Sequence, residues 1–361
     1  MQLLMKGNEA LAEGALRAGC RCFFGYPITP QTEVAAYMAK HMQRRGGVYL
    51  QAESELAAIN MVLGASSAGV RAMTSSSSPG ISLKTEAISY MAGSDLPGVI
   101  VNVQRAGPGL GGIQASQADY WQATRAPGHG DLRLFVLAPA SAQEMFDLIG
   151  DAFDLSDLYR MPAMILADGV LGQMMEPVEL GKRATKKLPA KDWALTGTRH
   201  KRPHNVINSL YLDPAELERK VTERFARYEK AAKTEQRAEE YFVDDAELVL
   251  VAYGASARVA RTAVDEARAK GRRTGLIRPV TLWPFPADSL RRAAKTARAF
   301  IAVEMSMGQM VDDVRLAIEC ARPVGLLSRT GGIIPSPEEV LEAIERHFEG
   351  CGGKPRRVGN A

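Results

Sequence analysis

The chain has 361 residues, a formal net charge of +4 and 46% apolar residues. That length suggests two domains, the composition is that of a globular protein, and the small charge gives no case for a nucleic-acid binder. No apolar run reaches membrane length, and the start Met1–Lys6 is too short for a signal peptide, so the chain reads as cytoplasmic.

Up to about residue 182, short apolar runs alternate with helical patterns. A helix over Gly7–Ala18 leads to a strand over Cys22–Phe24 and then to the sextet Gly25-Tyr26-Pro27-Ile28-Thr29-Pro30. Two prolines stiffen this turn. It displays one hydroxyl, Thr29, and one phenol, Tyr26, at the carboxyl end of a strand, where α/β sheets often place chemistry. A stiff connector is the bland alternative. A helix over 31–44 and a strand over Val48–Gln51 follow, and Gln51-Ala52-Glu53-Ser54-Glu55 opens the next helix, over 54–67. Successive helix residues point about 100° apart. Glu53 and Glu55 therefore cannot share a face, and at most one enters a site; both also suit a helix start electrostatically.

A strand over Val70–Thr74 runs into Ser75-Ser76-Ser77-Ser78-Pro79-Gly80, ahead of a helix over 81–93. Small hydroxyls and backbone amides there suit a polar ligand at the helix start, or simply a polar loop. The strand Gly98–Gln104 ends at Arg105, a planar two-pronged donor suited to a carboxylate or to a structural ion pair. Gly107-Pro108-Gly109-Leu110-Gly111-Gly112 formally contains G-x-G-x-x-G, with Asp131 about twenty residues on. It comes too late for a dinucleotide fingerprint, contains Pro108 and lacks a clear following helix. His129 is a lone loop histidine, and Asp168-Gly169 either binds polar atoms or makes a turn. A strand over 132–137, a helix over 142–153 and a strand over 163–167 complete a parallel sheet covered on both faces.

Residues 183–245 are polar and basic. Within them Asp213-Pro214-Ala215-Glu216 starts a helix, and Leu217, Val221, Phe225 and Tyr228 give it one apolar face. A second, smaller α/β unit covers 246–347, with strands over 248–253, 274–277 and 300–304 and a helix over 258–269; 348–361 is a basic tail. The four cysteines, Cys20, Cys22, Cys320 and Cys351, form no CxxC pair, so they read as buried or free thiols and not as cluster ligands.

Taken together these pieces resemble the α subunit of thiamine diphosphate-dependent 2-oxoacid:ferredoxin oxidoreductases. The resemblance rests on Gly-Asn-Glu-Ala at 7–10, the 25–30 turn, Gln51-Ala52-Glu53, the Ser-Pro-Gly loop, the strand ending in Arg105, and Arg278-Pro279-Val280-Thr281-Leu282-Trp283-Pro284-Phe285-Pro286. Residues 75–84 and 107–109 look most like the branched-chain, 2-oxoisovalerate type, with the 2-oxoglutarate type as rival. The resemblance implies a pyrimidine-binding thiamin-fold domain over 1–182 and a transketolase-C-like domain over 246–347. It implies that Glu53 hydrogen-bonds the cofactor's aminopyrimidine, with Pro27, Ile28, Ser76 and Ser77 lining it. Arg105 would hold the substrate carboxylate, with Thr29 and Tyr26 also contacting substrate. Thiamine enzymes commonly hold diphosphate and Mg²⁺ with Gly-Asp-Gly and a following Asn, and the sequence has no Gly-Asp-Gly. The chain would then bind only the pyrimidine end and no metal. A β-type partner would supply the rest, beside γ and ferredoxin-like subunits carrying iron–sulfur clusters. Ferredoxin, coenzyme A and a 2-oxo acid are the implied partners, with no nucleic acid and no membrane. Two other classes stay open: an NAD-dependent α/β enzyme using the 107–112 loop, and a scaffold without chemistry. Thr29, Glu53 and Arg105 together argue against the scaffold.

Overall fold

The computed structural model describes residues 2–350 apart from 182, 184, 185 and 199. Cys351 and residues 351–361 of the basic tail lie outside the described residues. The strands are β1 (Gln2–Lys6), β2 (Cys22–Gly25), β3 (Val48–Gln51), β4 (Ala72–Ser76), β5 (Gly98–Gln104), β6 (Phe135–Leu137), β7 (Pro162–Asp168), β8 (Met175–Glu179), β9 (Ala238–Tyr241), β10 (Leu248–Val251), β11 (Thr274–Pro279), β12 (Thr281–Trp283), β13 (Ala299–Glu304) and β14 (Val324–Ser328).

A seven-stranded sheet runs in the order β12-β6-β7-β5-β4-β2-β3, parallel throughout except for β12. The central strands β5 and β7 are buried along their whole length, as continuous apolar strands between two helical layers should be. One face packs on the helices Gly7–Arg17, Thr32–His41 and Ala142–Tyr159 through Leu11, Leu16, Met38, Phe153 and their neighbours. The other face carries Ile59, Ile88 and Met91, and its core continues without a break into Val249, Tyr253 and Phe300 of the second unit. That unit has a five-stranded sheet, β14-β13-β10-β11-β9, antiparallel only at β9.

The expected helix over 81–93 is two, Ser78–Ser82 and Thr85–Gly93, and that over 142–153 extends to Tyr159. The helix Pro214–Thr234 buries Arg224, Tyr228 and Ala231, while Leu217 is 42% exposed. Only its second half packs, so the expected apolar stripe is covered at one end. Arg224 anchors it by an ion pair to Asp95 at 3.0 Å. Among the described residues no helix is long and apolar enough to cross a membrane.

Candidate active site

Four neighbouring parallel strands, β3, β2, β4 and β5, end along one edge of the large sheet. Glu53 follows β3, the Tyr26–Pro30 turn follows β2, Ser76 and Ser77 close β4, and Arg105 follows β5. Parallel register is what collects them: residues far apart in sequence share an edge because each strand enters from the same side.

The turn is held from beneath. Asn8 Nδ2 donates to the Pro30 carbonyl at 2.8 Å, and Gln173 Nε2 to the same oxygen at 3.1 Å. Glu33 accepts from Asn8, Gln173 and Lys6; these partners, chiefly the bond from Lys6, outweigh burial and hold its carboxyl below the usual range. Gln31 Nε2 reaches the Tyr26 carbonyl, and its Oε1 accepts from Ser75 of β4. Tyr26, Pro27 and Thr29 are exposed and Ile28 is half-buried.

Arg105 is buried, with 8% of its surface exposed. Nη1 donates to the Thr29 carbonyl at 3.1 Å and Nη2 to the Leu110 carbonyl at 3.2 Å, while Nε is buried without a partner. Among the described residues no ion pair forms at Arg105, so the structural salt bridge open on the sequence is absent there. The guanidinium instead spans the Gly25–Pro30 turn and the 107–112 loop. That loop is followed by no helix until Tyr120–Thr124, so it lacks the helix N-terminus that a dinucleotide pyrophosphate requires.

Glu53 and Glu55 do diverge. Glu55 is buried at 6% exposure, whereas Glu53 is exposed and accepts no hydrogen bond among the described residues. The Ala52 amide donates to the Gly25 carbonyl at 2.9 Å, which ties the Glu53 segment to the base of the turn. Ser54 caps the helix Glu55–Ser67 by accepting from the Ala57 amide. Ser76 and Ser77 are fully buried, and neither hydroxyl has a partner among the described residues. Gly80 lets these side chains pack closely: a Cβ there would crowd Ser76 Oγ and stand 2.6 Å from Glu55 Oε1.

Several residues at this edge escaped the sequence reading. Asp119 accepts from Ser78 Oγ at 2.6 Å and Asn102 Nδ2 at 2.9 Å, and burial pushes its carboxyl up. Ser78 Oγ in turn accepts from the Arg105 amide at 3.0 Å. The signal lay in Val101-Asn102-Val103-Gln104: polar residues inside an otherwise apolar strand need buried partners. His129 is exposed, away from this network. Asp168 caps the helix Gly169–Gln173 by accepting from the Val170 and Leu171 amides. Beside Thr29 opens a cleft of about 750 Å³, lined among others by Ile113, Val170, Met174 and Ile334, with Glu33 the one ionisable residue lining it among the described residues.

Residues 13–246 match the family model for the pyruvate flavodoxin/ferredoxin oxidoreductase thiamine diphosphate-binding domain, and residues 246–340 match core domain II of pyruvate:ferredoxin oxidoreductase. The chain belongs to the 2-oxoacid:ferredoxin oxidoreductase family, as an α subunit. The α subunit is 51% identical over 344 residues to ketoisovalerate oxidoreductase subunit VorB of Methanothermobacter thermautotrophicus, covering 94% of this chain and 96% of that one. It is 37% identical to 2-oxoglutarate synthase subunit KorA of the same organism, covering 95% and 98%. Among solved structures it resembles the 2-oxoglutarate:ferredoxin oxidoreductase of Magnetococcus marinus, a structure with 2-oxoglutarate, coenzyme A and succinyl-CoA bound. The TM-score is 0.84 at 27% identity, over 96% of this chain and 65% of that chain. A split-gene transketolase, at TM-score 0.57 and 13% identity over 95% and 96%, shares the fold alone.

Proposed function

We propose that this α subunit forms half of an active site that oxidatively decarboxylates 3-methyl-2-oxobutanoate to an acyl-CoA and CO2, passing electrons to ferredoxin. The half-site takes the pyrimidine end of thiamine diphosphate. A β-type partner supplies the diphosphate and Mg²⁺ site, and partner subunits carry the iron–sulfur clusters. The buried, unneutralised guanidinium of Arg105 beside Thr29 carries this reading. A buried cation without a counter-ion is costly, and a substrate carboxylate would complete it. The unpartnered hydroxyls of Ser76 and Ser77 and the free carboxylate of Glu53 fit a polar ring placed along the same edge.

When bound, the cofactor supplies an electron sink that lets CO2 leave a 2-oxo acid. Glu53 would hold a proton at the ring atom N1′, a task that needs one placed carboxylate. Arg105 would orient the substrate through its carboxylate, and Thr29 Oγ would hydrogen-bond the oxo group. The neighbouring cleft favours a branched apolar side chain over a diacid. Its walls are mostly apolar, and the nearby Lys6 is already paired with Glu33, which leaves no cation lining the cleft, among the described residues, for a second carboxylate. The higher identity to a ketoisovalerate subunit than to 2-oxoglutarate subunits supports the same choice.

The test is Glu53→Gln in the complex co-expressed with its partner subunits, assayed with a viologen acceptor. Decarboxylation should fall by at least about a hundredfold, the scale of a placed acid–base group. Wild-type turnover in that variant would defeat the assignment.

A further inference from the structure

Lys84 is fully buried, yet no ion pair forms at it among the described residues. Its ammonium donates to the Glu55 backbone carbonyl at 3.1 Å and to Thr74 Oγ1 at 3.2 Å. Glu55 opens the helix that follows Glu53, and Thr74 belongs to β4, which leads to Ser76 and Ser77. One side chain thus joins the two segments that present the carboxylate and the hydroxyls of the half-site. A methionine or leucine would fill this volume without burying a charge, and burial pushes the Lys84 ammonium down to about 8. The Ala52–Gly25 backbone bond also fastens the Glu53 segment, to the end of β2.

We infer that Lys84 is a positioning residue for Glu53: by clamping the first turn of the Glu55–Ser67 helix to β4, it fixes where the Gln51–Ser54 segment presents its carboxylate to the cofactor. The inference rests on the assignment of Glu53 above. Lys84 touches neither substrate nor cofactor and acts through the backbone of Glu55. A pivot of the helix start by a single ångström would misplace Glu53 while leaving the fold intact.

The experiment is a double-mutant cycle on the co-expressed complex, with thiamine diphosphate affinity read by calorimetry in the presence of Mg²⁺. Lys84→Met should weaken the cofactor Kd at least tenfold and lower kcat, with the substrate KM changed less than threefold. In a Glu53→Gln background the same substitution should shift Kd less than threefold, because the carboxylate it positions is gone. Thr74→Val removes one anchor of the clamp and should weaken Kd in the same direction by a smaller factor. It decides the matter if Lys84→Met fails to assemble. An unchanged Kd in Lys84→Met, a loss that adds in full to that of Glu53→Gln, or no effect of Thr74→Val would overturn the inference. A wild-type complex that binds no thiamine diphosphate would instead refute the assigned function.

Discussion

Arg105 carries a charge that the described part of this chain does not neutralise, and its two anchors are neutral carbonyls on opposite sides of the site. Lysine would keep the charge and lose the two-pronged span. Arg105→Lys is therefore expected to raise the KM for the 2-oxo acid by roughly tenfold or more, the scale of one charged hydrogen bond, with a smaller fall in kcat. Steady-state kinetics on the complex checks this, and an unchanged KM would remove Arg105 from the substrate site. Lys84 sets a pH dependence of stability. Its value in the folded chain is about 8, below the ordinary 10.5, because burial disfavours the ammonium. Below pH 8 both folded and unfolded chains hold the proton, and the cost of burying it is fully present. Between 8 and 10.5 Lys84 holds more proton in the unfolded chain than in the folded one, so its own contribution to stability rises with pH, against the opposite contribution of the buried Cys20 thiol, pushed up to about 12. Relative to wild type, Lys84→Met should gain less stability or lose more as pH rises from 7 to 10, read as the difference between the two proteins in denaturant titrations. Of the residues at the site, Thr29, Glu53 and Arg105 were legible because each follows a clearly apolar strand. The inward turn of Glu55 was not, since helix geometry says only that two such residues diverge.

Elements with a continuous apolar pattern were the easy part: β3 and β5 lie where periodicity predicts. β1, β8, β9, β12 and β14 did not announce themselves. β12 is three residues long and is a strand because it pairs antiparallel with β6, more than a hundred residues earlier. Its Trp283 packs its ring edge on Phe135 and Tyr228, so it exists through tertiary contacts that no local window contains. The Gly25–Pro30 turn depends on a distant element in the same way. Asn8, near the start of the Gly7–Arg17 helix, carries the Pro30 carbonyl and bonds Glu33. Asn8→Ala is expected to destabilise the chain by about 0.5–1.5 kcal/mol, the net worth of a hydrogen bond whose acceptor keeps another donor, here Gln173. It should raise the substrate KM through a looser Thr29, as chemical denaturation and kinetics together would show.

The two units of the molecule are joined by polar contacts as well as by the continuous core. Gln117, fully buried, donates through Nε2 to the Tyr253 carbonyl, and its Oε1 accepts from Ser256 Oγ and the Met305 amide. Asp168 accepts from the Ala255 amide at 3.3 Å. Gly254 stands between them at φ +56°, where a Cβ would lie 3.1 Å from Gln117 Nε2 and 3.2 Å from Asp168 Oδ2. Gly254→Ala should cost about 1–3 kcal/mol from the left-handed backbone alone, read as a lower unfolding midpoint of the assembled complex. The Tyr253-Gly254 pair, visible in the sequence only as part of a family resemblance, thus has a physical task at the joint. Along one edge the large sheet presents Arg105 and Glu53 without an ion pair, and Ser76 and Ser77 without hydrogen-bond partners, among the described residues, and the proposed function makes this edge half of an active site. Viologen reduction by the α subunit alone and by the complex with its β-type partner, each supplied with thiamine diphosphate, Mg²⁺, coenzyme A and 3-methyl-2-oxobutanoate or 2-oxoglutarate, tests this most directly. The account predicts no turnover by the α subunit alone and turnover by the complex with preference for the branched substrate. Turnover by the α subunit alone, or a complex that works only with NAD, would contradict it.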